Sequence, residues 1–360
     1  MRTAALAFAL SLTLTHGAGA QPASLSNEEK ASVIARMQEE IEPNYVFPEE
    51  TAASNAALEK RLQAGDYAEI DDFRAFADQM TQDLVAIAQN KHFALVYNPG
   101  LIADWQRPQE PSTDASDAPD DSIDWNEWYA TKDNQGFEKV EVLDGNVGYI
   151  KFDFFQPLRW ARPTINAAMA FVANTDALII DLTENGGGYS PTDAYLASHF
   201  LEPGTDLWST SYNRPSDGSR TVELFDAING ARYLGKPVYV LVGANSFSMA
   251  EKLAYGLKHF GKAHLVGQVT SGAAHAIDIA ILNDRFFLQI PVTYNIHPVT
   301  GTDWERKGVI PNTVSDVGDE LRTAHRMALD KLQADAASAR IKAYYAKIKA
   351  GMDLEQAASE

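Results

Sequence analysis

The sequence predicts an α/β protein in which a small bundle of three N-terminal helices precedes a larger core domain. Between residues 26 and 90, apolar residues recur at steps of three and four, as they do on amphipathic helices. From residue 140 onward, short apolar strand patterns alternate with helical patterns, which indicates a parallel sheet covered by helices. The 360 residues suffice for one large and one small domain.

The N-terminal region shows clear boundaries for each predicted element. Ser26 and Glu29 form a capping box at the start of the first helix, and Gly65 closes the second. The third helix covers residues 73–87, where large apolar residues share one face. The period then changes to two at residues 93–97, which predicts a strand.

The rest of the chain divides into a linker, a core and a tail. Residues 98–135 are rich in proline, glycine and acidic side chains, which favours a linker or flap. The core pattern predicts hairpins at 144–145 and 283–284, strands at 147–153, 177–182, 238–243 and 263–268, and helices at 162–174, 190–201 and 248–260. Residues 321–349 predict a surface helix. The predicted segments are a signal peptide (1–20), a helical domain (21–97), the linker or flap (98–135), the core (136–330) and a helical tail (331–360).

The first twenty residues are typical of a secretory signal peptide. Arg2 precedes an apolar stretch at residues 4–15, and the small residues 18–20 form a cleavage site. We expect cleavage after Ala20, a periplasmic or extracellular location, and no stable membrane insertion of the mature protein. An uncleaved anchor is the alternative, but the apolar stretch is shorter than the ~20 residues that span a bilayer.

Composition excludes several kinds of chemistry and partner. A formal charge of −19, from 49 acidic and 30 basic residues, disfavours binding to nucleic acid. Because the chain has no cysteine, disulfides and thiolate nucleophiles are excluded. The sequence contains no His-Glu-x-x-His or EF-hand motif, so we expect no metal and no cofactor. Reactive groups must therefore be hydroxyl, imidazole, carboxylate or amine.

Two strands of the core run into motifs that suit catalysis. The first ends at Asn185-Gly186-Gly187-Gly188, where glycines let backbone N–H groups approach a developing negative charge. The second ends at Ser246 and Ser248, at the start of a helix whose dipole favours a nucleophile. A tight turn and a simple N-cap are the structural alternatives. Parallel strands place such motifs at one edge of a sheet, where ligands bind.

Five motifs in register resemble the tail-specific, or C-terminal-processing, serine peptidase family. They are Gly148-Tyr149-Ile150, residues 177–188, residues 246–251, residues 261–267 and residues 300–311. Residues 44–48 and 91–97 further resemble the branch that includes the interphotoreceptor retinoid-binding protein. The resemblance implies a ClpP/crotonase-like ββα-spiral core after the helical domain. It also implies a peptide or protein substrate.

The resemblance departs from the better-known branch and matches a tricorn-like arrangement. Ala273 stands where that branch has its lysine base, and residues 98–136 are too short for its PDZ domain. The tricorn-like arrangement implies Ser248 as nucleophile, His92 as base and Glu305 as orienting carboxylate. It also implies an oxyanion hole made by the N–H groups of Gly186 or Gly187 and of Met249. Lys91 replaces the serine that precedes the histidine in tricorn.

Several side chains have roles outside this set. The reserve candidates are Ser246 as nucleophile and His275 as base. We interpret Asp181 as a structural cap of the glycine turn. We interpret three lysines after Ser248 as residues of a solvated helix face, namely Lys252, Lys258 and Lys262.

The sequence therefore predicts an exported serine peptidase that works through an acyl-enzyme. The alternative is a non-catalytic protein that binds an apolar, retinoid-like or lipid-like ligand on the same fold. A cavity lined by Phe152, Phe154, Phe155 and Trp160 would favour this alternative. An interaction or scaffold protein is a third possibility. The oligomeric state stays open.

Overall fold

The structure is a computed structural model that describes residues 24–106, 125–205 and 207–359. The predicted signal peptide and most of the acidic tract at residues 114–127 lie outside these residues. The helices are α1 (Asn27–Asn44), α2 (Pro48–Ala64), α3 (Phe73–Ala88), α4 (Pro99–Gln106), α5 (Trp125–Lys132), α6 (Leu158–Val172), α7 (Thr192–Ala197), α8 (Met249–His259), α9 (Glu320–Asp335) and α10 (Ala339–Ser359). The strands are β1 (Ala94–Tyr97), β2 (Phe137–Leu143), β3 (Val147–Phe152), β4 (Ala177–Asp181), β5 (Leu207–Asn213), β6 (Gly218–Glu223), β7 (Val238–Val242), β8 (His264–Gly267), β9 (Ala276–Ile281), β10 (Phe286–Ile296) and β11 (Thr313–Val314).

The described residues form two compact units, each built from several segments. The first contains residues 24–106 together with Tyr212–Ser219 and His275–Tyr294, and the second contains the remainder. The domain boundaries derived from the sequence stay a prediction. No helix within the described ranges combines the length and apolar character needed to cross a bilayer.

The first unit contains the three predicted helices and an antiparallel sheet. The Ser26 hydroxyl accepts the N–H of Glu29 at 3.2 Å, which confirms the N-cap, and Gly65 closes α2 with a φ of 80°. Strand β1 pairs with β10, and β9 pairs with β10 as the predicted hairpin. Apolar side chains of α1 and α3 and of strands β1 and β10 form one core. The helices thus bury their apolar faces against the sheet.

The second unit is built on a six-stranded sheet with the order β11-β8-β7-β4-β3-β2. Strands β3, β4, β7, β8 and β11 are parallel, and β2 completes the predicted hairpin with β3. All five residues of β4 are buried, because helices cover both faces. Leu178 and Ile180 pack with α6, α7 and α8, whereas Ile179 packs with α9. The α/β architecture is confirmed.

Two segments differ from the sequence predictions. The expected loop after residue 98 begins with α4, because Pro99 suits the first turn of a helix and the Asn98 side chain accepts the N–H of Leu101. The expected surface helix at residues 321–349 is instead the pair α9 and α10, and α9 is buried against the sheet through Ala324, Ala328 and Leu329. The sequence also missed the hairpin of β5 and β6.

Candidate active site

The carboxyl ends of the parallel strands in the second unit carry the predicted nucleophile. After β7, the chain turns at residues 243–248 and enters α8. Ser246 is fully buried in this turn, where its hydroxyl donates to Leu182 O at 2.7 Å and accepts the N–H of Gly243 at 3.0 Å. These contacts hold the turn and keep the hydroxyl of Ser246 away from solvent.

Ser248 occupies a strained position at the N-terminus of α8. Its φ of 53° and ψ of −110° lie outside the common regions for a residue with a side chain. Such a conformation costs about 1–3 kcal/mol and persists only where its surroundings fix it. The N–H of Ser248 donates to the Glu251 carboxylate at 2.9 Å. The side chain therefore sits on a sharp strand-to-helix turn, as a nucleophile requires.

Glu251 anchors this turn and was missed as a site residue by the sequence analysis. Its side chain is fully buried and accepts four hydrogen bonds. The donors are the Ser248 N–H (2.9 Å), the Thr270 hydroxyl (2.5 Å), the Gly272 N–H (2.6 Å) and the Ala273 N–H (2.9 Å). Burial raises the pKa of Glu251 to about 7, and the hydrogen bonds oppose this shift. The spacing of Ser248 and Glu251, which is that of a capping box, was the available signal.

The glycine loop packs directly against the nucleophile turn. Gly187 has a φ of 96°, and a Cβ built there would lie 2.9 Å from both Phe247 O and Ser248 Cβ, and 3.0 Å from Met249 N. Only glycine permits this approach. Asp181 caps the loop as expected, because it accepts the N–H and hydroxyl of Thr183.

The predicted oxyanion donors differ in their availability. The N–H of Met249 has no acceptor among the residues that the structure describes. The N–H of Gly186 donates to Asp153 O at 2.9 Å as part of backbone pairing, which removes it as a donor. The N–H of Gly187 donates to Asn185 Oδ1 at 2.9 Å. The N–H of Met249 is thus available to an oxyanion. The N–H of Gly187 could donate to the same oxyanion only after it loses its hydrogen bond to Asn185.

The first unit places the predicted base beside the reserve base. The backbone N–H of His92 donates to Asn90 Oδ1 at 3.1 Å, and Asn90 Nδ2 donates to His275 Nδ1 at 2.9 Å. Asn90 and His275 are buried, and the ring of Phe47 meets His275 edge-on at 5.1 Å between centroids. Burial, with a smaller contribution from His275, lowers the pKa of His92 to about 3. The imidazole of His92 is therefore neutral at physiological pH and able to accept a proton.

Glu305 is anchored within the second unit. Its Oε2 accepts the N–H of Ala274 at 2.6 Å, and the preceding Trp304 donates its indole N–H to Ala273 O at 3.1 Å. The N–H of Arg306 donates to Gly272 O at 2.9 Å. The loop of Glu305 therefore lies along residues 272–274, the segment that also binds Glu251.

The lysines after Ser248 do not supply a base. Lys252 was expected on a solvated face, and this is wrong: the side chain is 6% exposed and lies 3.3 Å from Asp193 Oδ2. The same oxygen accepts the indole N–H of Trp208 at 2.7 Å. Lys258 donates to Ile310 O at 2.6 Å. Ala273, at the position of the family lysine, is fully buried.

The aromatic residues expected to line a ligand cavity are divided between core and surface. Phe152 and Phe155 are each 1% exposed and meet edge-on at 4.9 Å, so they fill core positions. Phe154 meets Tyr189 edge-on at 6.1 Å, and Tyr189 is 55% exposed just after the glycine loop. Trp160 lies under the guanidinium of Arg159. Among the described residues, no cluster of three or more potential metal ligands occurs.

Comparisons with known proteins place these features in a family. The model of peptidase family S41 matches residues 146–315, and the model of the N-terminal domain of this peptidase family in eukaryotic IRBP matches residues 25–132. Together the two matches cover most of the chain. Each match covers the part of the sequence in which the corresponding motifs were found.

Individual relatives are more distant and longer. A chloroplastic carboxyl-terminal-processing peptidase 2 of Arabidopsis thaliana is 29% identical over 168 residues, which are 46% of this chain and 31% of the relative. A carboxyl-terminal-processing protease of Picosynechococcus is 26% identical over 217 residues, which are 58% of this chain and 50% of the relative. The chain thus spans about a third to a half of these relatives.

Solved structures agree on the fold. A lipoprotein from Streptococcus agalactiae has a TM-score of 0.54 at 14% identity, covering 89% of this chain and 100% of that one. A putative peptidase from Parabacteroides merdae has a TM-score of 0.54 at 16% identity, covering 83% of this chain and 92% of that one. At these identities the likeness concerns the fold alone.

Proposed function

Because this chain belongs to peptidase family S41, a family of serine-type peptidases, we propose that it is an exported serine peptidase that cleaves peptide bonds through Ser248. The relatives carry the name carboxyl-terminal-processing proteases, and we extend to this chain their action on polypeptide substrates. Export rests on the signal-peptide pattern of residues 1–20 and implies a periplasmic or extracellular location.

One observation carries this proposal: Ser248 is held in a strained turn between the Glu251 carboxylate and Gly187, beside the open N–H of Met249. Strain held by buried hydrogen bonds is typical of a nucleophile fixed for reaction. The Met249 N–H lies at a helix N-terminus, where an oxyanion is stabilised by the dipole. The contact between Glu251 and the Ser248 N–H is also that of a capping box, but a structural N-cap does not require the close approach of Gly187.

The reaction follows the acyl-transfer sequence. Ser248 Oγ attacks the carbonyl carbon while its proton passes to His92, which forms a tetrahedral intermediate with a negative oxygen. The N–H groups of Met249 and Gly187 stabilise that oxygen. His92 then returns the proton to the leaving amine, and the C–N bond breaks to give an ester on Ser248. Water, activated by the same imidazole, hydrolyses the ester.

His92 and Glu305 take the proposed roles of base and charge partner. The lowered pKa keeps His92 neutral before attack but also makes it a weaker base, so the proposed mechanism needs a carboxylate that stabilises the protonated imidazole. The Glu305 carboxylate offsets the positive charge that the imidazole gains during the reaction. The exposed ring of Tyr189, next to the glycine loop, offers an apolar surface on which a substrate side chain can pack.

The alternative function, a binding protein for an apolar ligand, is less well supported. A cavity lined by Phe152 and Phe155 would favour it, and both rings are instead packed in the core. A catalytic role also explains the strain at Ser248, whereas ligand binding does not.

Covalent labelling with a fluorophosphonate probe, followed by peptide mass spectrometry, tests the proposal. We expect an adduct on Ser248 that disappears in the Ser248→Ala and His92→Ala variants. Ser216→Ala is the control, since it removes an exposed hydroxyl that bonds Asn213 and should leave the adduct on Ser248. An adduct on Ser246, or no adduct on correctly folded protein, would refute the proposal. In the second case, extraction of a co-purifying apolar molecule would favour the binding protein.

A further inference from the structure

We propose that Asn90 and His275 are positioning residues that together hold His92 in the orientation for proton transfer. This inference rests on the proposed function, because it concerns the base of the same reaction. It assigns to His275 a role other than that of reserve base. It also identifies how this chain orients its histidine although Lys91 stands where tricorn has a bridging serine.

The hydrogen bonds around Asn90 leave its side-chain amide a single orientation. A backbone N–H can only donate, so the atom that accepts from His92 N at 3.1 Å must be the amide oxygen. The amide nitrogen therefore faces His275 Nδ1 at 2.9 Å, and an amide nitrogen can only donate. Rotating the amide would break both bonds at once.

This orientation determines the protonation pattern of His275. Its Nδ1 accepts from Asn90 and cannot carry a proton, so the neutral ring carries its proton on Nε2. His275 is 1% exposed, and Phe47 packs against its ring. The Asn90 side chain thus ties the backbone of His92 to the imidazole of His275, which lies 185 positions from Asn90 in the sequence.

The chain on either side of the pair is also fixed. Ala274, the residue before His275, donates its N–H to Glu305 Oε2, and its carbonyl oxygen accepts Asn295 Nδ2 at 2.7 Å. On the other side, Phe93 follows His92 and packs against Tyr45 with ring centroids 4.9 Å apart. The carboxylate proposed to support the base thus accepts the backbone N–H of the residue that precedes His275 in the sequence.

Packing alone does not explain this arrangement. A fully buried amide must be desolvated, which is unfavourable unless each polar atom finds a partner. An apolar side chain at position 90 would fill the space at lower desolvation cost but could neither accept the backbone N–H of His92 nor donate to the ring of His275. The bridging geometry therefore points to a role in orienting the base.

The test compares variants in steady-state cleavage of fluorescein-labelled casein and in the rate of fluorophosphonate labelling. We expect Asn90→Ala and His275→Ala to lower kcat about 10- to 100-fold, as misplacement of a catalytic group does, with KM within about twofold of wild type. His275→Asn should recover most of kcat, because its Oδ1 can take the place of Nδ1 as acceptor. His199→Ala, a change at another buried histidine, is the control for general destabilisation and should leave kcat unchanged in folded protein.

The outcomes separate this inference from the proposed function. If Ser248→Ala and His92→Ala retain activity, the proposed function fails. If they abolish activity while His275→Ala keeps wild-type kcat, the positioning role is overturned. Should Asn90→Ala fail to fold, the His275→Ala and His275→Asn pair decides alone. Side-chain ¹⁵N NMR of His275 should show a protonated Nε2 and an unprotonated Nδ1, and the opposite tautomer would contradict the geometry.

Discussion

Replacing Glu251 tests whether its carboxylate holds the nucleophile turn. In Glu251→Gln, one oxygen becomes an NH₂ group that cannot accept. The favourable orientation directs this NH₂ to Thr270, whose hydroxyl can accept, and keeps the oxygen on the Ser248 and Ala273 N–H groups. The buried N–H of Gly272 then loses its acceptor, and one such loss costs about 1–3 kcal/mol.

Glu251→Ala removes the acceptor of all three backbone N–H groups and of the Thr270 hydroxyl. We expect a loss of about 3 kcal/mol or more in the free energy of unfolding. The two variants should also differ in reactivity. Glu251→Gln retains the bond to the Ser248 N–H and should label within about tenfold of the wild-type rate, whereas Glu251→Ala releases the strained turn and should label at least tenfold more slowly.

Urea unfolding at pH 8 measures these differences, because the carboxylate, with its pKa near 7, is then ionised in the wild type. Glu320→Gln is a matched control: Glu320 is also buried and accepts a backbone N–H, from Gly318 at 2.8 Å, but it lies on α9. It should lower stability without changing labelling of the folded protein. Equal stability and labelling in Glu251→Ala and wild type would refute the reasoning.

Three further results are expected. Gly187→Ala should lower fluorophosphonate labelling at least tenfold, because its Cβ would lie 2.9 Å from Ser248 Cβ. Gly230→Ala is the control, since Gly230 also has a positive φ but its Cβ would have no atom within 4 Å, and it should label at the wild-type rate. Equal labelling of the two variants would contradict the close packing of Gly187 on Ser248. The folded-state pKa of His92, about 3, lies below its ordinary 6.5, so the unfolded state binds the proton first and stability falls as pH decreases from 6.5 toward 3. In urea titrations between pH 6.5 and 4, the free energy of unfolding of His92→Gln should therefore fall less than that of the wild type, by up to about 1.4 kcal/mol per pH unit. If the two free energies fell equally with pH, a buried neutral imidazole would be excluded. Asp193→Asn should destabilise by about 3–5 kcal/mol, because Lys252 stays buried without its charge partner, and a loss under about 1 kcal/mol in thermal or urea unfolding would show that this pair is unimportant.

Much of the fold was predictable because its signals are local. The N-cap at Ser26, the glycine after α2 and the apolar run of β4 each depend on neighbouring residues, and all three appear in the structure. The reciprocal contact of the predicted capping box does not, because the Glu29 carboxylate pairs with Arg285. The error at α9 has a physical cause. Its alanines suit a solvated helix as well as a close approach to a sheet, so composition could not distinguish the two.

The candidate site was predictable only in part. Strand-to-glycine and strand-to-serine motifs located Gly187 and Ser248, since parallel strands bring their carboxyl ends to one edge. Family resemblance suggested His92 and Glu305. The partners that hold these residues were not visible, because a hydrogen-bond acceptor such as Asn90 looks like any other polar residue in a turn.

The sequence by itself determined the alternation of strands and helices around the parallel sheet, the glycine and serine turns, and the absence of cysteine chemistry, because each follows from local conformational preference or composition. Only the tertiary structure decided that Lys252 is buried against Asp193, that Glu251 binds residues 270–273, and that Asn90 joins His92 to His275. These contacts join residues 19 to 185 positions apart. They depend on sheet register and helix packing, which no single stretch of sequence encodes.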